Sequence, residues 1–236
     1  MPIIGSGNDT YTQLLAPLNN SATDISQNGF TITNNGVTFS NSSPIFPGTY
    51  YAVFDGTDDY LSVPDNAVWT FGTANFTIDL WLNMAVMQNE QGVFSKYIDT
   101  NNKMSLYFNG SGQIGFYILV SGVTYASYQS GGYTLTSSWN HMALVRSGTN
   151  LYLFVNGVNT NWTASTAISN YSIPDISAAV EIGKEDSGGT TYYLNGAISE
   201  FMISTGIARW TSNFTPPALP YGSSRFLSEM SLLGTG

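Results

Sequence analysis

Short runs in which apolar and polar residues alternate recur along the chain. From Phe76 to Leu82, for example, every second residue is a large apolar one. A period of two is typical of a β-strand that turns one apolar face towards a core. The helical period is missing apart from single turns, so we expect a protein built from strands.

Turn residues join these runs into hairpins. The runs Met104–Phe108 and Gln113–Val120 flank Asn109–Gly112, which is a strong hairpin signal. The runs Met142–Arg146 and Leu151–Val155 form a second such pair around residues 147–150. The Asn-Gly pairs at 156–157 and 195–196 predict two further turns. Turns at this spacing predict an all-β fold, a two-sheet antiparallel β-sandwich of the jelly-roll type.

Length and composition favour one globular domain. The chain has 236 residues, of which 42% are hydrophobic and only 9% are charged, and a domain of this size buries a large core without disulfides. We expect a jelly-roll domain over residues 11–221. Residues 1–10 are predicted to be an N-terminal arm and residues 222–236 a C-terminal tail that docks on its own domain or reaches a neighbouring subunit.

The charge pattern excludes several partners. The formal net charge is −9 and the six lysines and arginines are scattered, so the basic patch that a nucleic-acid binder needs is missing. The same deficit argues against a membrane surface, and no apolar run is long enough to span one. The start of the chain lacks the pattern of a signal peptide, which favours a protein assembled in the cytoplasm.

Four segments together resemble laminin-G-like domains of the concanavalin A-like superfamily. They are Phe54–Pro64, Phe76–Leu82, the paired segments Trp139–Arg146 and Leu151–Val158, and Leu194–Phe201. Their order and spacing match that family over about residues 11–221. The resemblance implies a lectin-like sandwich, a fold that carries lectins, adhesion modules, glycosidases and structural proteins.

The segment Gly206–Pro217 is similar to a phrase found in laminin-G-like proteins of tailed bacteriophages. That resemblance implies a virion component, such as a capsid-surface or tail-fibre protein. Low lysine and arginine content also suits an exposed particle, since it leaves few tryptic sites.

Catalytic patterns are weak. Glycosidases of this fold place acids at alternate positions of one strand, and none of the fifteen acidic residues forms that pattern. Glu181 and Glu185 are four apart, and Gly183 is expected to end the strand between them. His141 is the single histidine and is interpreted as a structural residue of its strand. We therefore expect a protein that is not an enzyme.

Two predicted loops carry oxygen ligands of the kind that calcium prefers. The candidate ligands are Asp99, Asn101 and Asn102 in one loop and Glu185 and Asp186 in the other. Pentraxins, which share this fold, resemble the sequence at these two places. The alternative is an ordinary solvated turn in each case, so calcium is expected as an optional rather than a required cofactor.

Aromatic side chains near predicted loops are the candidates for glycan contacts, because sugars stack on aromatic faces beside amides and carboxylates. The alternative is that these aromatics fill the core or a subunit interface. The candidates are Trp69, Tyr125, Tyr128, Tyr133, Trp162, Tyr192 and Tyr193.

Two functional hypotheses follow. In the first, the chain is a structural protein on the surface of a bacteriophage particle, where it decorates the capsid or tail as a homo-oligomer held by virion proteins. In the second, it is an adhesion module that binds a host-surface glycan, with or without calcium.

Overall fold

The computed structural model describes residues 7–86, 89–131, 135, 138–160 and 162–222. In these residues the chain forms one short 3₁₀ helix, Ala67–Trp69, and otherwise strands. The strands are β1 (Thr12–Ala16), β2 (Thr33–Asn35), β3 (Thr38–Ser40), β4 (Tyr51–Asp55), β5 (Tyr60–Val63), β6 (Phe76–Met84), β7 (Gln91–Asp99), β8 (Asn102–Phe108), β9 (Ile114–Val120), β10 (Val123–Gln129), β11 (Asn140–Ser147), β12 (Asn150–Val155), β13 (Val158–Asn159), β14 (Thr163–Thr166), β15 (Val180–Ile182), β16 (Lys184–Ser187), β17 (Thr190–Tyr193) and β18 (Asn195–Thr205).

Two eight-stranded antiparallel sheets form a sandwich. The first sheet has the order β13-β12-β11-β6-β18-β4-β3, and β1 also pairs with β18. The second has the order β14-β10-β9-β8-β7-β15-β5-β2. Strands β16 and β17 form a separate hairpin. The predicted all-β jelly-roll fold is confirmed.

The core lies between the two sheets. The first sheet contributes Phe76, Ile78 and Leu80, and the second contributes Phe94 and Leu106, all fully buried. Alternation along β6 therefore has the predicted register. The described residues contain no helix that is long and apolar enough to cross a membrane.

The outer face of the first sheet is also buried. Thr77 and Asp79, on the side of β6 opposite the core, have no exposed surface. The segment from residue 206 to 222 covers them: the backbone N–H of Arg209 donates to Thr77 Oγ1 over 3.1 Å. The rings of Trp210 and Phe214 stack at 4.2 Å over this face. The sequence pattern predicted one apolar face for β6, and the structure buries both because the chain returns across the sheet.

Two boundaries differ from those expected. Residues 195–196 were predicted to turn the chain, but both lie within β18. Gly196 serves a close approach of two backbones, since a Cβ there would lie 2.6 Å from Asn83 O. Asp9, in the predicted arm, forms a 3.0 Å ion pair with Arg209, so residues 7–10 belong to the domain. Residues 1–6 and 223–236 lie outside the described residues.

Candidate functional site

A hairpin lies on the outer face of the second sheet. Gly183, at φ +84°, ends β15 and redirects the chain into β16, where Ser95 Oγ donates to Lys184 O over 2.8 Å. Gly92 on β7 allows this contact, because a Cβ there would lie 2.2 Å from the backbone nitrogen of Glu185. Glycine is therefore required at a position where the hairpin presses on the sheet. The predicted end of the strand between Glu181 and Glu185 is confirmed.

Glu185 is buried under this hairpin. It is 1% exposed, and its Oε1 accepts a 2.7 Å hydrogen bond from the Tyr117 hydroxyl. Its Oε2 has no hydrogen-bond partner within the part of the chain that the structure describes. Burial, reinforced by the charge of Glu90, raises the pKa of Glu185 to about 7. The carboxyl group is thus held where its charged form is unfavourable.

On one side of the hairpin lies a shallow cleft on the sheet surface, called here the face cleft. Its volume is about 230 Å³, and Tyr117, Lys103, Leu119, Thr124 and Ser127 line it. Lys103 Nζ lies 4.7 Å from the centre of the Tyr117 ring, a cation–π distance. The ammonium group therefore occupies one face of the ring that a sugar would use.

On the other side lies a more polar cleft, called here the end cleft. Its volume is about 260 Å³. The residues that line it include two tyrosines, a glutamate, two asparagines and a threonine: Thr57, Asn89, Glu90, Tyr192, Tyr193 and Asn195. This is the set of groups that recognises neutral sugars.

Gln91 fixes the walls of the end cleft. Its side chain is buried, its Oε1 accepts from the Asn195 N–H over 2.7 Å, and its Nε2 donates to Val86 O over 2.7 Å. One amide thus joins the loop before β7 to the start of β18. The cleft is held by the scaffold, as is typical of sites on sandwich loops.

Three carboxylates adjoin the end cleft at the turn between β4 and β5. Asp55, Asp58 and Asp59 have oxygens within 4.8 Å of one another. Two of these residues also stabilise the turn: Asp55 accepts from the Thr57 N–H over 2.7 Å, and Asp59 accepts from the Asp55 N–H over 3.0 Å. Burial first, and the neighbouring carboxylates next, raise the pKa of Asp59. The oxygen donors suit a hard cation such as calcium.

The predicted calcium ligands near Asp99 hold a turn instead. Asp99 Oδ1 accepts from the Asn101 N–H over 2.7 Å and from the Asn102 side chain over 2.9 Å. Asn102 Oδ1 accepts from the Ser121 N–H over 2.9 Å. These bonds lower the pKa of Asp99 and tie two hairpin turns together.

The two predicted calcium loops do not meet. Glu185 packs against Gly92 near the start of β7, whereas Asp99 ends that strand, roughly 20 Å away at the rise of an extended chain. Asp186 pairs with Lys184 at 3.1 Å and accepts from Thr191 at 2.5 Å. The two candidate loops therefore belong to two separate local networks, one of which buries Glu185.

Three of the predicted glycan contacts lie in or against the core. Trp69 is 2% exposed, and its Nε1 donates to Pro64 O over 3.1 Å. The Tyr128 hydroxyl accepts from the Ile168 N–H over 2.9 Å, and its ring lies 4.9 Å from that of Trp162. Because Trp69 and Tyr128 are buried, their rings are not accessible to a ligand. Trp162 is packed against the same core.

The remaining aromatic residues predicted to contact a glycan lie in different places. Tyr192 and Tyr193 line the end cleft. Tyr125 is half-buried with its ring 5.9 Å from that of Tyr171, and it lines neither cleft. Tyr133 lies outside the described residues.

The outer face also carries Lys103, Tyr107 and Tyr117, and the end cleft Asn89 and Glu90; none of these was predicted from the sequence. A signal for the first group was present, because Lys103, Ser105 and Tyr107 alternate with apolar residues along β8. Asn89 and Glu90 follow no period and are brought to the cleft by the fold alone.

His141 lies in a buried network of aromatic and acidic side chains, with its Nε2 3.5 Å from Asp79 Oδ2. It is fully buried, and its ring stands edge-on to those of Trp81 and Trp210. The hydroxyl next to its Nε2, at 3.2 Å, belongs to Tyr221. These contacts agree with the structural role expected from the sequence.

The fold and its clefts define a lectin-like β-sandwich. The profile of the Laminin_G_3 family, in the concanavalin A-like lectin/glucanases superfamily, matches residues 55–209. The chain belongs to this family. No curated protein matches it in sequence.

Solved structures share the fold at low identity. Domain 4 of AbnA, a GH43 extracellular arabinanase from Geobacillus stearothermophilus in complex with arabinotriose, is 17% identical with a TM-score of 0.61, over 84% of this chain and 93% of that one. The binding domain of botulinum neurotoxin DC in complex with rat synaptotagmin II is 14% identical with a TM-score of 0.61, over 84% of this chain and 48% of that one. The same binding domain in complex with SialylT is 13% identical with a TM-score of 0.60, again over 84% and 48%. The chain thus spans about half the length of the neurotoxin domain.

Proposed function

We propose that this chain is a non-catalytic carbohydrate-binding domain that holds its glycan in the end cleft. The observation that carries the proposal is the meeting of Tyr192 and Tyr193 with Glu90, Asn89 and Asn195 around one cleft of about 260 Å³. Aromatic rings stack on the apolar faces of sugars, while amides and carboxylates bond their hydroxyls. The complexes of the AbnA domain with arabinotriose and of the neurotoxin domain with SialylT are compatible with this class of ligand.

The end cleft is favoured over the face cleft for an electrostatic and steric reason. In the face cleft, Lys103 lies over the Tyr117 ring, and Glu185 takes the Tyr117 hydroxyl. In the end cleft the two tyrosines are half-buried. Their rings therefore combine a fixed position with some free surface.

A glycan array of the purified chain tests this proposal, run once with calcium and once with EDTA. We expect binding by the wild type and a loss of at least about tenfold in affinity, roughly 1.4 kcal/mol, for Tyr192→Ala. Tyr171→Ala is the matched control, because Tyr171 is 49% exposed and lines neither cleft. Equal losses in both variants, or none in Tyr192→Ala, would place the glycan elsewhere.

The EDTA arm decides whether calcium takes part. If EDTA abolishes binding, Asp58→Asn should do so as well, because Asp58 is an exposed member of the trio and lies next to Gly56 and Thr57 of the cleft. If glycan binding survives EDTA, the proposal of a carbohydrate-binding domain stands and calcium has no part in it.

We further propose that the domain is displayed on a bacteriophage particle as a homo-oligomer assembled in the bacterial cytoplasm, attached to the capsid or tail by virion proteins. The observation that favours this is the segment Gly206–Pro217, which is similar to a phrase of phage laminin-G-like proteins. Immunogold labelling with an antibody against the chain should mark particle surfaces. Light scattering of the purified chain should give a multiple of 25.5 kDa. Label confined to cell debris, or a monomer, would count against the role.

A further inference from the structure

A third cavity lies on the other side of the molecule, over the outer face of the first sheet. Its volume is about 420 Å³, larger than either cleft. It opens between the segment that joins β1 to β2, Thr49, and the chain at Pro220–Gly222. We call it the Glu200 cavity, because Glu200 is the one charged residue among the described residues that line it.

Glu200 is held deep in this cavity. It is 1% exposed, and its Oε2 accepts from the Tyr221 N–H over 2.8 Å. The carboxyl group belongs to the lining of the cavity, and burial of its charged form is costly for the fold.

The backbone is also strained where it aims this side chain. A bulge between Ser199 and Met202 interrupts the pairing of β18 with β6, and Glu200 sits in it at φ +56°. Leu18, on the opposite wall, has φ +59°. Left-handed backbone is unfavourable at residues other than glycine. A bulge turns a side chain away from the direction that regular pairing would give it, here into the cavity.

The charged and titratable groups around Glu200 are mostly acidic. Asp79 on β6 and the Tyr221 hydroxyl lie behind it, with His141 on β11 against both. Arg209 pairs with Asp9 at 3.0 Å. Burial first, and the Asp79 charge next, raise the pKa of Glu200 to about 8. The carboxylate form is therefore disfavoured in the folded protein.

The walls of the Glu200 cavity are largely apolar. Pro17, Leu18, Ile25 and Pro220 line it, and no lysine, arginine or histidine is among the described residues that do so. An anion is disfavoured by Glu200 and by the net charge of −9. A neutral apolar molecule would leave the carboxyl group unpaired. A ligand that carries a cationic group on an apolar body suits both the carboxyl group and the apolar walls.

We propose that the Glu200 cavity binds a small organic cation, with one ammonium group on the Glu200 carboxylate and a short aliphatic body against the proline and leucine walls. Binding fixes the carboxylate form of Glu200 and releases its proton at neutral pH. Affinity therefore rises with pH up to about pH 8, while an alkylammonium ion keeps its charge to about pH 10, as a lysine does.

Calorimetry of the full chain with n-butylammonium chloride tests this proposal between pH 6 and pH 9. A dissociation constant on the order of 1 mM is expected at pH 8 for so small a ligand. Affinity should weaken about tenfold per pH unit below pH 7, because each unit removes nine tenths of the ionised Glu200. Glu200→Gln, which keeps the shape of the side chain, should lose at least tenfold together with the pH dependence.

Two comparisons make the outcome decisive. Glu185→Gln should bind n-butylammonium as the wild type does, since Glu185 lies under the β16–β17 hairpin. n-Butanol should bind at least tenfold more weakly than n-butylammonium at pH 8. Equal binding of the two would show that the cavity selects for apolar surface alone and would overturn the proposal.

If Glu200→Gln fails to fold, the wild-type pH profile and the n-butanol comparison still test the proposal. Absence of binding at 10-fold the expected constant, roughly 10 mM, would also overturn it. Tyr192→Ala leaves this cavity untouched, so the glycan proposal can fail separately.

Discussion

The Tyr117 hydroxyl donates a 2.7 Å hydrogen bond to Glu185 Oε1, and this bond joins the outer face of the second sheet to the hairpin that covers it. Burial raises the pKa of Tyr117 as well, and the carboxylate next to it adds to that effect. The carboxylate thus favours the neutral phenol, whereas the hydrogen bond from the phenol favours the carboxylate and opposes part of the rise that burial causes in the pKa of Glu185. The pair is a buried acid–phenol contact, with the Lys103 ammonium group 4.7 Å from the centre of the Tyr117 ring.

This pair makes stability depend on pH. The pKa of Glu185 rises from 4.5 to about 7 on folding, so the folded state binds more protons between these values. The free energy of unfolding is therefore highest below about pH 4.5, falls as pH rises towards 7, and stays lower above it, by an amount on the order of 3 kcal/mol. Glu185→Gln should remove this fall, so that urea unfolding shows the variant gaining on the wild type between pH 5 and pH 8.

The control for this prediction is Tyr117→Phe. It removes the hydroxyl donor but leaves the carboxyl group, so it should lose about 1–2 kcal/mol at pH 8 and retain the pH dependence. Parallel pH profiles for the wild type and Glu185→Gln would show that the carboxyl group is solvated in the folded protein.

Arg146 holds three backbone segments without an acidic partner in the described chain. Its guanidinium donates to Gly148 O at 3.1 Å, to Gly72 O at 2.6 Å and to Tyr171 O at 2.8 Å, and the side chain is 1% exposed. A lysine has the charge but not the planar fork. Arg146→Lys should therefore lower the free energy of unfolding by about 2–4 kcal/mol, measured by urea denaturation.

Tyr171→Ala is the matched variant, because Arg146 uses the main-chain oxygen of Tyr171 and the side chain is 49% exposed. It should cost less than about 1 kcal/mol. A loss for Arg146→Lys no greater than that of Tyr171→Ala would mean that water replaces the carbonyl contacts.

The fold could be predicted from local signals, since alternation and turn residues determine which runs pair. The hairpin around residues 109–112 formed as expected between β8 and β9. The turn predicted at Asn195–Gly196 did not form, because an Asn-Gly pair can mark either a turn or a close approach of two backbones. Its glycine lets β18 approach the backbone of Asn83, and a single sequence does not distinguish a turn from a close approach.

The candidate site was predictable only in part. Tyr192 and Tyr193 were found because aromatic residues near a turn are visible in the sequence. Glu185 was predicted in a loop but lies on β16, and its burial depends on β16 crossing the outer face above Tyr117, a contact between residues 68 positions apart. Trp69 was misread because a tryptophan in a connecting segment can turn its ring inwards, and here Pro64 O accepts its N–H.

Gly157 and Gly148 show two different reasons for a glycine in a hairpin turn, which are a close contact with a neighbouring segment and a left-handed backbone. Both have positive φ, +76° and +60°. A Cβ on Gly157 would lie 1.9 Å from Phe214 O, whereas a Cβ on Gly148 would meet nothing within 4 Å. Gly148→Ala should therefore cost only the backbone strain, about 1 kcal/mol. Gly157→Ala should cost about 3 kcal/mol or more, because the segment that carries Phe214 must lift from the first sheet. Thermal unfolding of the two variants measures the difference, and a tryptophan fluorescence change in Gly157→Ala alone should report the displaced Trp210. Equal costs would show that the segment from residue 206 to 222 packs loosely on its sheet.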